Sequence, residues 1–143
     1  MAKFAELDSN NVVLRVLQAC NTDVDNNGGE ESEQAATHFK SVVPLSGLGV
    51  KWVQTSFSAS FRKKYAEKGD VYNETLDMFV QAKPHDNFTL NSDGDWISPI
   101  GNPTEQDSDG VYYAKVWDET NQRWTANDET LVWNTETSAW DSL

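Results

Sequence analysis

Apolar and polar positions alternate along much of the chain, a pattern typical of half-buried β-strands. Two apolar-rich runs flank residues 8–11, whose side chains are Asp, Ser and Asn and tolerate turn geometry. We therefore predict an N-terminal β-hairpin in which Leu7 faces Val12. The residues from 51 to 57 alternate again and are rich in β-forming types, so they predict a further strand.

One stretch follows a helical period instead. Between about residues 31 and 43 acidic side chains occupy the first turn, and Pro44 follows the last apolar position. The apolar residues that fall on one face of this helix are Ala35, Phe39, Val42 and Val43. We predict one α-helix here, and a loop in the polar, glycine-containing segment that begins at Cys20.

The later part of the chain contains phrases with a regular spacing of large side chains. In an antiparallel pair the residue numbers of facing positions have a constant sum, so a spacing of seven fits two facing residues joined by an even loop. Leu90 and Trp96 are six apart and need an odd loop, in which Gly94 supplies the left-handed position. The facing pairs predicted at a spacing of seven are Tyr72 with Phe79, Trp117 with Trp124, and Trp133 with Trp140.

These elements predict a mainly β fold of the α+β type. Antiparallel β-hairpins would form the sheet, one helix would pack on it, and a further β-hairpin region would extend from its C-terminal end. Residues 101–110 contain glycine, proline and acidic residues, which favours a boundary there. We therefore expect a β-rich body with one helix at residues 1–100, a linker loop at 101–110, and a C-terminal tryptophan-hairpin extension at 111–143.

The net charge of the chain argues against some classes of binding partner. The chain has 143 residues and a net charge of −12, and residues 84–143 hold twelve acidic side chains against two basic ones. Such a surface repels phosphate backbones and anionic lipid, so we expect no nucleic-acid or membrane partner. No apolar run approaches the roughly 20 residues that a membrane-spanning helix needs.

One basic cluster interrupts the acidic sequence, and it has two interpretations. It would form a solvated turn or helix, or it would contact an acidic surface of a partner protein. Its members are Arg62, Lys63, Lys64 and Lys68.

The chain offers no recognisable chemistry for catalysis or metal binding. Cys20 is the single cysteine, and because it ends an apolar run we predict a buried free thiol. Residues 23–34 begin like a calcium loop, but Gln34 stands where a bidentate Glu belongs, so we predict an ordinary loop and no metal site. The matching positions are Asp23, Asp25, Asn27 and Gly28. Without a nucleotide-binding, hydrolase or metalloprotease motif we predict no cofactor, no catalytic residue and no enzymatic activity.

The four C-terminal tryptophans also have two interpretations. As facing pairs they brace their hairpins, and each pair adds on the order of 0.5–1 kcal/mol. As an exposed platform they would bind a protein or a sugar. On the second interpretation the partner-binding residues are Trp117, Trp124, Trp133 and Trp140.

Several phrases in a fixed order carry a resemblance. They are FAELDSNNVVLRV at residues 4–16, ESE at 31–33, WVQTSF at 52–57, FRKKYAEKGDVYNETLDMF at 61–79, NFTLNSDGDWISPIGNPT at 87–104, and WDETNQRW at 117–124. Together they resemble a family of short proteins encoded by tailed phages of marine bacteria, cyanophages especially. The likeness covers about residues 4–124, and residues 131–143 look like an added copy of the tryptophan phrase.

The resemblance implies a non-enzymatic component of the virion, either a capsid decoration or a neck or tail accessory, and it supplies no catalytic residue. The expected partners are other virion proteins and further copies of the chain. The N-terminal residues lack the features of a signal peptide, so we expect synthesis in the host cytoplasm followed by assembly into the virion. The alternatives are a tail-fibre module that binds a receptor or host surface glycan through exposed tryptophans, and an intracellular effector that mimics an acidic ligand such as DNA.

Overall fold

A computed structural model describes all residues, 1–143. Strands account for 33% of the residues and helices for 11%, with antiparallel sheets and a C-terminal hairpin region, so the predicted mainly β fold is confirmed. The strands are β1 (Ala2–Leu7), β2 (Val13–Ala19), β3 (Lys51–Thr55), β4 (Val71–Asn73), β5 (Met78–Val80), β6 (Thr89–Leu90), β7 (Trp96–Ile97), β8 (Lys115–Asp118), β9 (Arg123–Ala126), β10 (Leu131–Asn134) and β11 (Ala139–Ser142). The helices are α1 (Asn21–Asn26) and α2 (Glu33–Val42).

The chain divides into two compact units. The first contains Met1–Pro84 together with Ser92–Asp95, and the second contains His85–Asn91 together with Trp96–Leu143. The loop at residues 101–110 lies within the second unit.

A three-stranded antiparallel sheet with the order β2-β1-β3 organises the first unit. Its strands carry apolar residues on both faces, so both faces need cover. On one face the Phe4 ring stacks on Phe39 of α2 at 4.6 Å, and Phe39 meets the edge of Trp52 at 4.8 Å. This face and the two helices form the first hydrophobic core.

The other face of the sheet packs on the β4–β5 hairpin. Phe79 is fully buried there in a core with Ala5 and Leu7. Tyr72 faces Phe79 in the β4–β5 register and their rings lie 5.2 Å apart, which confirms the predicted pair. The hairpin therefore acts as the cover of this face.

The N-terminal hairpin forms, but its predicted register is wrong by one residue. Leu7 faces Val13 instead of Val12, because the register shifts between Glu6 and Leu7. In the turn Asp8 Oδ1 accepts hydrogen bonds from the backbone N–H groups of Asn10 and Val12. Because of this register shift the side chain of Val13 lies in the core, where it is buried.

Two helices form where one was predicted. Helix α1 occupies part of the segment expected to be a loop. Helix α2 begins two residues later than predicted, because Ser32 accepts a hydrogen bond from Ala35 N at 3.0 Å and caps it. Val42, assigned to the buried face, is 58% exposed. Ala35 and Phe39 are the buried residues of this helix, and Ala36 packs against the same core.

Two further sequence predictions fail at points where the chain leaves the sheet. Cys20 is exposed and not buried, because it follows the last residue of β2 and forms the N-terminal boundary of α1. Strand β3 ends at Thr55, two residues early, and Phe57 beyond it is 74% exposed.

The basic cluster is not a helix, and three of its four members pair with acidic residues of their own unit, whereas Lys68 is exposed in a turn. Arg62 Nε lies 2.8 Å from Asp77 Oδ1, and its side chain is only 10% exposed. Lys64 Nζ lies 2.8 Å from Asp70 Oδ2. These pairs fix the segment between β3 and β4 over the sheet.

A buried carboxylate fastens the segment after α2 to the same sheet. Glu6 is fully buried and accepts hydrogen bonds from Arg15 Nη2 at 3.0 Å and from Ser46 N at 2.9 Å. Ser46 Oγ donates a further bond to Glu6, and Arg15 also donates to Pro44 O at 2.9 Å. Gly49 is needed beside this network, since a Cβ there would lie 2.6 Å from the Glu6 side chain.

Ionisation of Glu6 depends on these bonds. Burial alone would raise the pKa of Glu6, but the hydrogen bonds from Arg15 and Ser46 outweigh burial and lower it below the ordinary value of 4.5. A carboxylate with a lowered folded-state pKa stabilises the fold above the unfolded-state pKa and loses that effect as the pH falls.

We therefore predict that Glu6→Gln lowers the free energy of unfolding by about 2 kcal/mol at neutral pH, because the amide places a donor among donors. The difference from the unsubstituted protein should shrink as the pH falls from 4.5 through the lower folded-state pKa of Glu6, where its carboxylate becomes protonated. Urea unfolding across this pH range measures both effects. Glu74→Gln, which alters the exposed partner of Lys51, is the control and should change stability little; an equal loss there would contradict the assignment.

Candidate functional site: a row of four tryptophans

The four predicted tryptophans lie on one face of a four-stranded antiparallel sheet with the order β11-β10-β9-β8. Trp117 faces Trp124 in β8–β9, and Trp133 faces Trp140 in β10–β11, as the spacing of seven predicts. The β9–β10 register, with Leu131 opposite Ala126, sets the two pairs at the same level. Facing residues share a face, so the indoles form one row across the sheet.

The first pair is the better buried. The Trp117 and Trp124 rings lie 5.3 Å apart in an edge-to-face arrangement, and Phe88 packs against both, 5.4 Å from Trp117. Trp124 Nε1 donates to Ser98 Oγ at 3.0 Å and to Gly101 O at 3.1 Å. Trp117 is 8% exposed, so this pair belongs to the interior of the second unit.

The polar end of Trp117 is also satisfied. Its Nε1 donates to Glu119 Oε2 at 2.6 Å, and the same carboxylate oxygen lies 3.4 Å from His85 Nδ1. The indole therefore has no free hydrogen-bonding group for a partner to use.

The second pair is more open. The Trp133 and Trp140 rings lie 5.4 Å apart, and Tyr113 covers Trp140 at 5.2 Å. Trp140 Nε1 donates to Thr104 O at 3.2 Å. Trp133 is half-buried and its Nε1 donates no hydrogen bond, which makes it the least constrained ring of the row.

The opposite face of this sheet is partly open to solvent. Val116, Thr125 and Val132 face one another across β8, β9 and β10. Thr125 is buried between its neighbours, whereas Val116 is 62% exposed.

A charged pair closes the first hairpin, as its facing positions predict. Arg123 Nε lies 3.1 Å from Asp118 Oδ2. Hydrogen bonds from the side chain and backbone of Asn121, with the nearby Arg123, lower the pKa of Asp118. The pair keeps Asp118 ionised and holds the turn.

The structure thus brings all four predicted tryptophans together, and the cross-strand bracing is confirmed. Binding of a partner through them stays a prediction. The residues that cover them, Phe88 and Tyr113, were not singled out from the sequence. The alternation of Phe88 with Leu90 was a usable signal of a buried face, but it does not identify the rings that Phe88 covers.

No cluster of three or more His, Cys, Asp or Glu side chains is arranged to hold a metal ion. Asp23 and Asp25, the first positions of the calcium-loop pattern, lie exposed on α1. Neither helix has the length or apolar content needed to cross a membrane. No protein-family model, curated protein or solved structure matches the chain.

We predict unequal costs for removing the rings. Trp117→Ala should lower the free energy of unfolding by about 3–5 kcal/mol, because it opens a cavity beside Phe88. Trp133→Ala should cost clearly less, since that ring is half-exposed and lacks a hydrogen bond. Urea or thermal unfolding of both variants measures the difference, and equal losses would contradict the burial order.

Proposed function

We propose that the protein is a non-enzymatic structural component of a tailed-phage particle, placed as a capsid decoration or as a neck or tail accessory. The biological setting of the proposal comes from the resemblance of residues 4–124 to short cyanophage proteins. Its physical support comes from the surface of the chain, and its partners would be other virion proteins and further copies of itself.

The observation that carries the proposal is the open edges of both sheets. Strand β3 is an edge of the first sheet and strands β8 and β11 end the second, so each sheet presents unpaired backbone groups. The outer edge of β2 is partly covered, because Val13 exchanges backbone hydrogen bonds with Gly69 and Asp70. Natural proteins cover or charge such edges unless a partner uses them. Large apolar side chains are exposed as well: Leu48 and Phe57 in the first unit, and Val111, Tyr112 and Val116 in the second.

The charge of the chain suits assembly from many copies. A net charge of −12 makes unassembled copies repel one another and so limits unspecific association. A larger scaffold with complementary contacts can then overcome the repulsion locally, as interfaces with matched potentials do.

Mass spectrometry of gradient-purified particles tests the proposal. We expect the chain at a fixed ratio to the major capsid protein, retained after a high-salt wash that removes adsorbed proteins. Abundant host cytoplasmic proteins serve as the control for carry-over. Absence of the chain from washed particles would contradict a structural role.

Trp133 supports a second candidate, a receptor- or glycan-binding module of a tail fibre. Its indole is half-buried with a free Nε1, and it stands beside Trp140 in the row. An aromatic ring with one open face and a free donor is a suitable platform for a sugar. The remaining rings have their donors satisfied within the unit.

Adsorption of mutant phage separates the two candidates. If the protein is structural, phage carrying Trp133→Ala should adsorb to host cells at the unsubstituted rate. If the row binds a receptor, adsorption should fall at least about tenfold, equivalent to about 1.4 kcal/mol, while Trp133→Phe should retain part of it. Particle yield reports any defect of assembly independently.

A further inference from the structure

We propose that the free edge of β3 receives β11 of a second copy of this chain, so that copies join head to tail. The inference rests on the proposed structural function, which requires contacts between copies, and it names the two surfaces that make them. Its support comes from the direction of the backbone groups on both strands, from one indole N–H without a hydrogen-bond acceptor, and from the charged side chains beside β3.

The backbone groups on the free edge of β3 can be identified. Leu7 O accepts a hydrogen bond from Val50 N at 2.8 Å, so Leu7 directs its backbone groups toward β3. Alternate residues of a strand direct these groups to opposite sides. Trp52 and Gln54, which face Glu6 and Phe4, therefore direct theirs outward.

An independent contact agrees with this assignment. Arg62 Nη1 donates to Gln54 O at 2.9 Å from outside the sheet. Strand β3 pairs with β1 alone, so the N–H and C=O of Trp52 and the N–H of Gln54 are free to pair with another strand.

A cleft of about 350 Å³ runs beside this edge. Helix α2 forms one wall with Ala36, Thr37 and Lys40, and Arg62 and Tyr72 line the other side. A groove between an edge strand and a helix is the geometry by which several domains add an extended strand to their sheet. The groove is thus shaped for one further strand.

One residue that lines the groove carries an unsatisfied donor. Trp52, which lines it, is 3% exposed, and its Nε1 is the one buried side-chain polar atom of the chain without a hydrogen-bond partner. A buried donor without an acceptor is costly, so an incoming strand that brings an acceptor gains from it.

Strand β11 of a second copy offers the matching edge. Leu143 N donates to Thr130 O at 2.9 Å, so Leu143 directs its backbone groups toward β10, and by alternation so do Asp141 and Ala139. The backbone groups of Trp140 and Ser142 are directed outward. Three of the four residues of β11 are exposed, so the strand is accessible.

Antiparallel addition in one register pairs the free groups of both edges and leaves Gln54 O with its existing donor, Arg62. With Ser142 opposite Trp52 and Trp140 opposite Gln54, outward-facing residues meet each other. Facing side chains share a face, so the Ser142 hydroxyl lies beside the Trp52 indole and can accept from Nε1. Asp141 then lies opposite Val53 and diagonal to Lys51, on the same face of the extended sheet.

The charges favour this partner. The lining of the cleft contains three basic and two acidic side chains, Lys40, Lys51, Arg62, Glu31 and Glu33. Lys51 Nζ also pairs with the exposed carboxylate of Glu74 at 2.5 Å. The lining is therefore less acidic than the rest of a chain of net charge −12, which lowers the repulsion toward an acidic strand. Because the two surfaces differ, the contact is heterologous and propagates from copy to copy.

Sedimentation velocity of the purified chain tests the contact. We expect concentration-dependent growth beyond the monomer between about 0.01 and 1 mM, as fits a short, transient interface. Backbone amide exchange at Trp52 and Gln54 should slow as the copies assemble. A monomer throughout this range would overturn the proposal.

Substitutions at the two edges supply the matched controls. Ser142→Pro removes an outward N–H that the fold does not use and should weaken association at least about tenfold, whereas Ser142→Thr should not. Lys51→Glu should weaken it from the other side. An equimolar mixture of the Pro and Glu variants keeps one intact pair of edges and should form dimers that grow no further.

Restored dimers in the mixture exclude misfolding as the cause of the loss. Association of Ser142→Pro equal to that of the unsubstituted chain, or a mixture that stays monomeric, would overturn the assignment of the edges. Particles that contain the chain while the pure protein stays monomeric would refute this contact and leave the structural function standing. Head-to-tail association of a chain that is absent from particles would refute the function and leave the contact standing.

Discussion

Four indole rings on one face of a four-stranded sheet must be shielded from water, and the second unit is arranged around that requirement. Each large aromatic side chain removes on the order of 150–250 Å² from solvent when buried, more than two short hairpins can cover by themselves. Phe88 lies against the first pair and Tyr113 against the second. The indole N–H groups of Trp124 and Trp140 donate to backbone carbonyls and a serine, and that of Trp117 donates to Glu119. The irregular segments before β8 are therefore held in place by their contacts with the four tryptophans.

A different constraint governs the first unit. Its sheet is only three strands wide and is covered on both faces, so the segment after α2 must be held by something other than a large apolar core. The carboxylate of Glu6 does this by collecting donors from Arg15 and Ser46 in a buried position. Such a network is strongly destabilised when one member is removed, because the others keep their desolvation cost. Gly49 shows how closely the backbone approaches it.

The parts of this structure that could be predicted are those in which local spacing fixes the geometry. Trp117 with Trp124, Trp133 with Trp140, and Leu90 with Trp96 all face each other because a hairpin's register depends only on its own loop. Helix α2 was predictable from its period and from the Ser and Glu at its start. These features need no knowledge of the rest of the chain.

The remaining features depend on contacts between distant residues or on unusual backbone conformations. The spacing of large side chains along the sequence predicts neither. The β9–β10 pairing that joins the two tryptophan hairpins passes through Asn127, Asp128 and Glu129, three consecutive residues with φ between 53° and 62°. This left-handed turn contains no glycine from which it could be predicted, and such a conformation is unfavourable for residues with a Cβ. The shift between Glu6 and Leu7 likewise follows from burial of Val13, which only the assembled core requires. The cover of the row by Phe88 is non-local for the same reason.

The open edges and the acidic charge are best understood together. A chain with unpaired edge strands on two sheets would pair indiscriminately if nothing opposed it. Net charge opposes it, but only over about 8 Å at physiological ionic strength, so the repulsion acts at the moment of contact. A contact escapes part of this repulsion where the surface is less acidic, as in the cleft that contains Lys40 and Lys51. The net charge then disfavours pairing between other strand edges more than the proposed pairing of β3 with β11. In that proposed contact, the specificity of association among copies comes from a few basic side chains in an otherwise acidic chain.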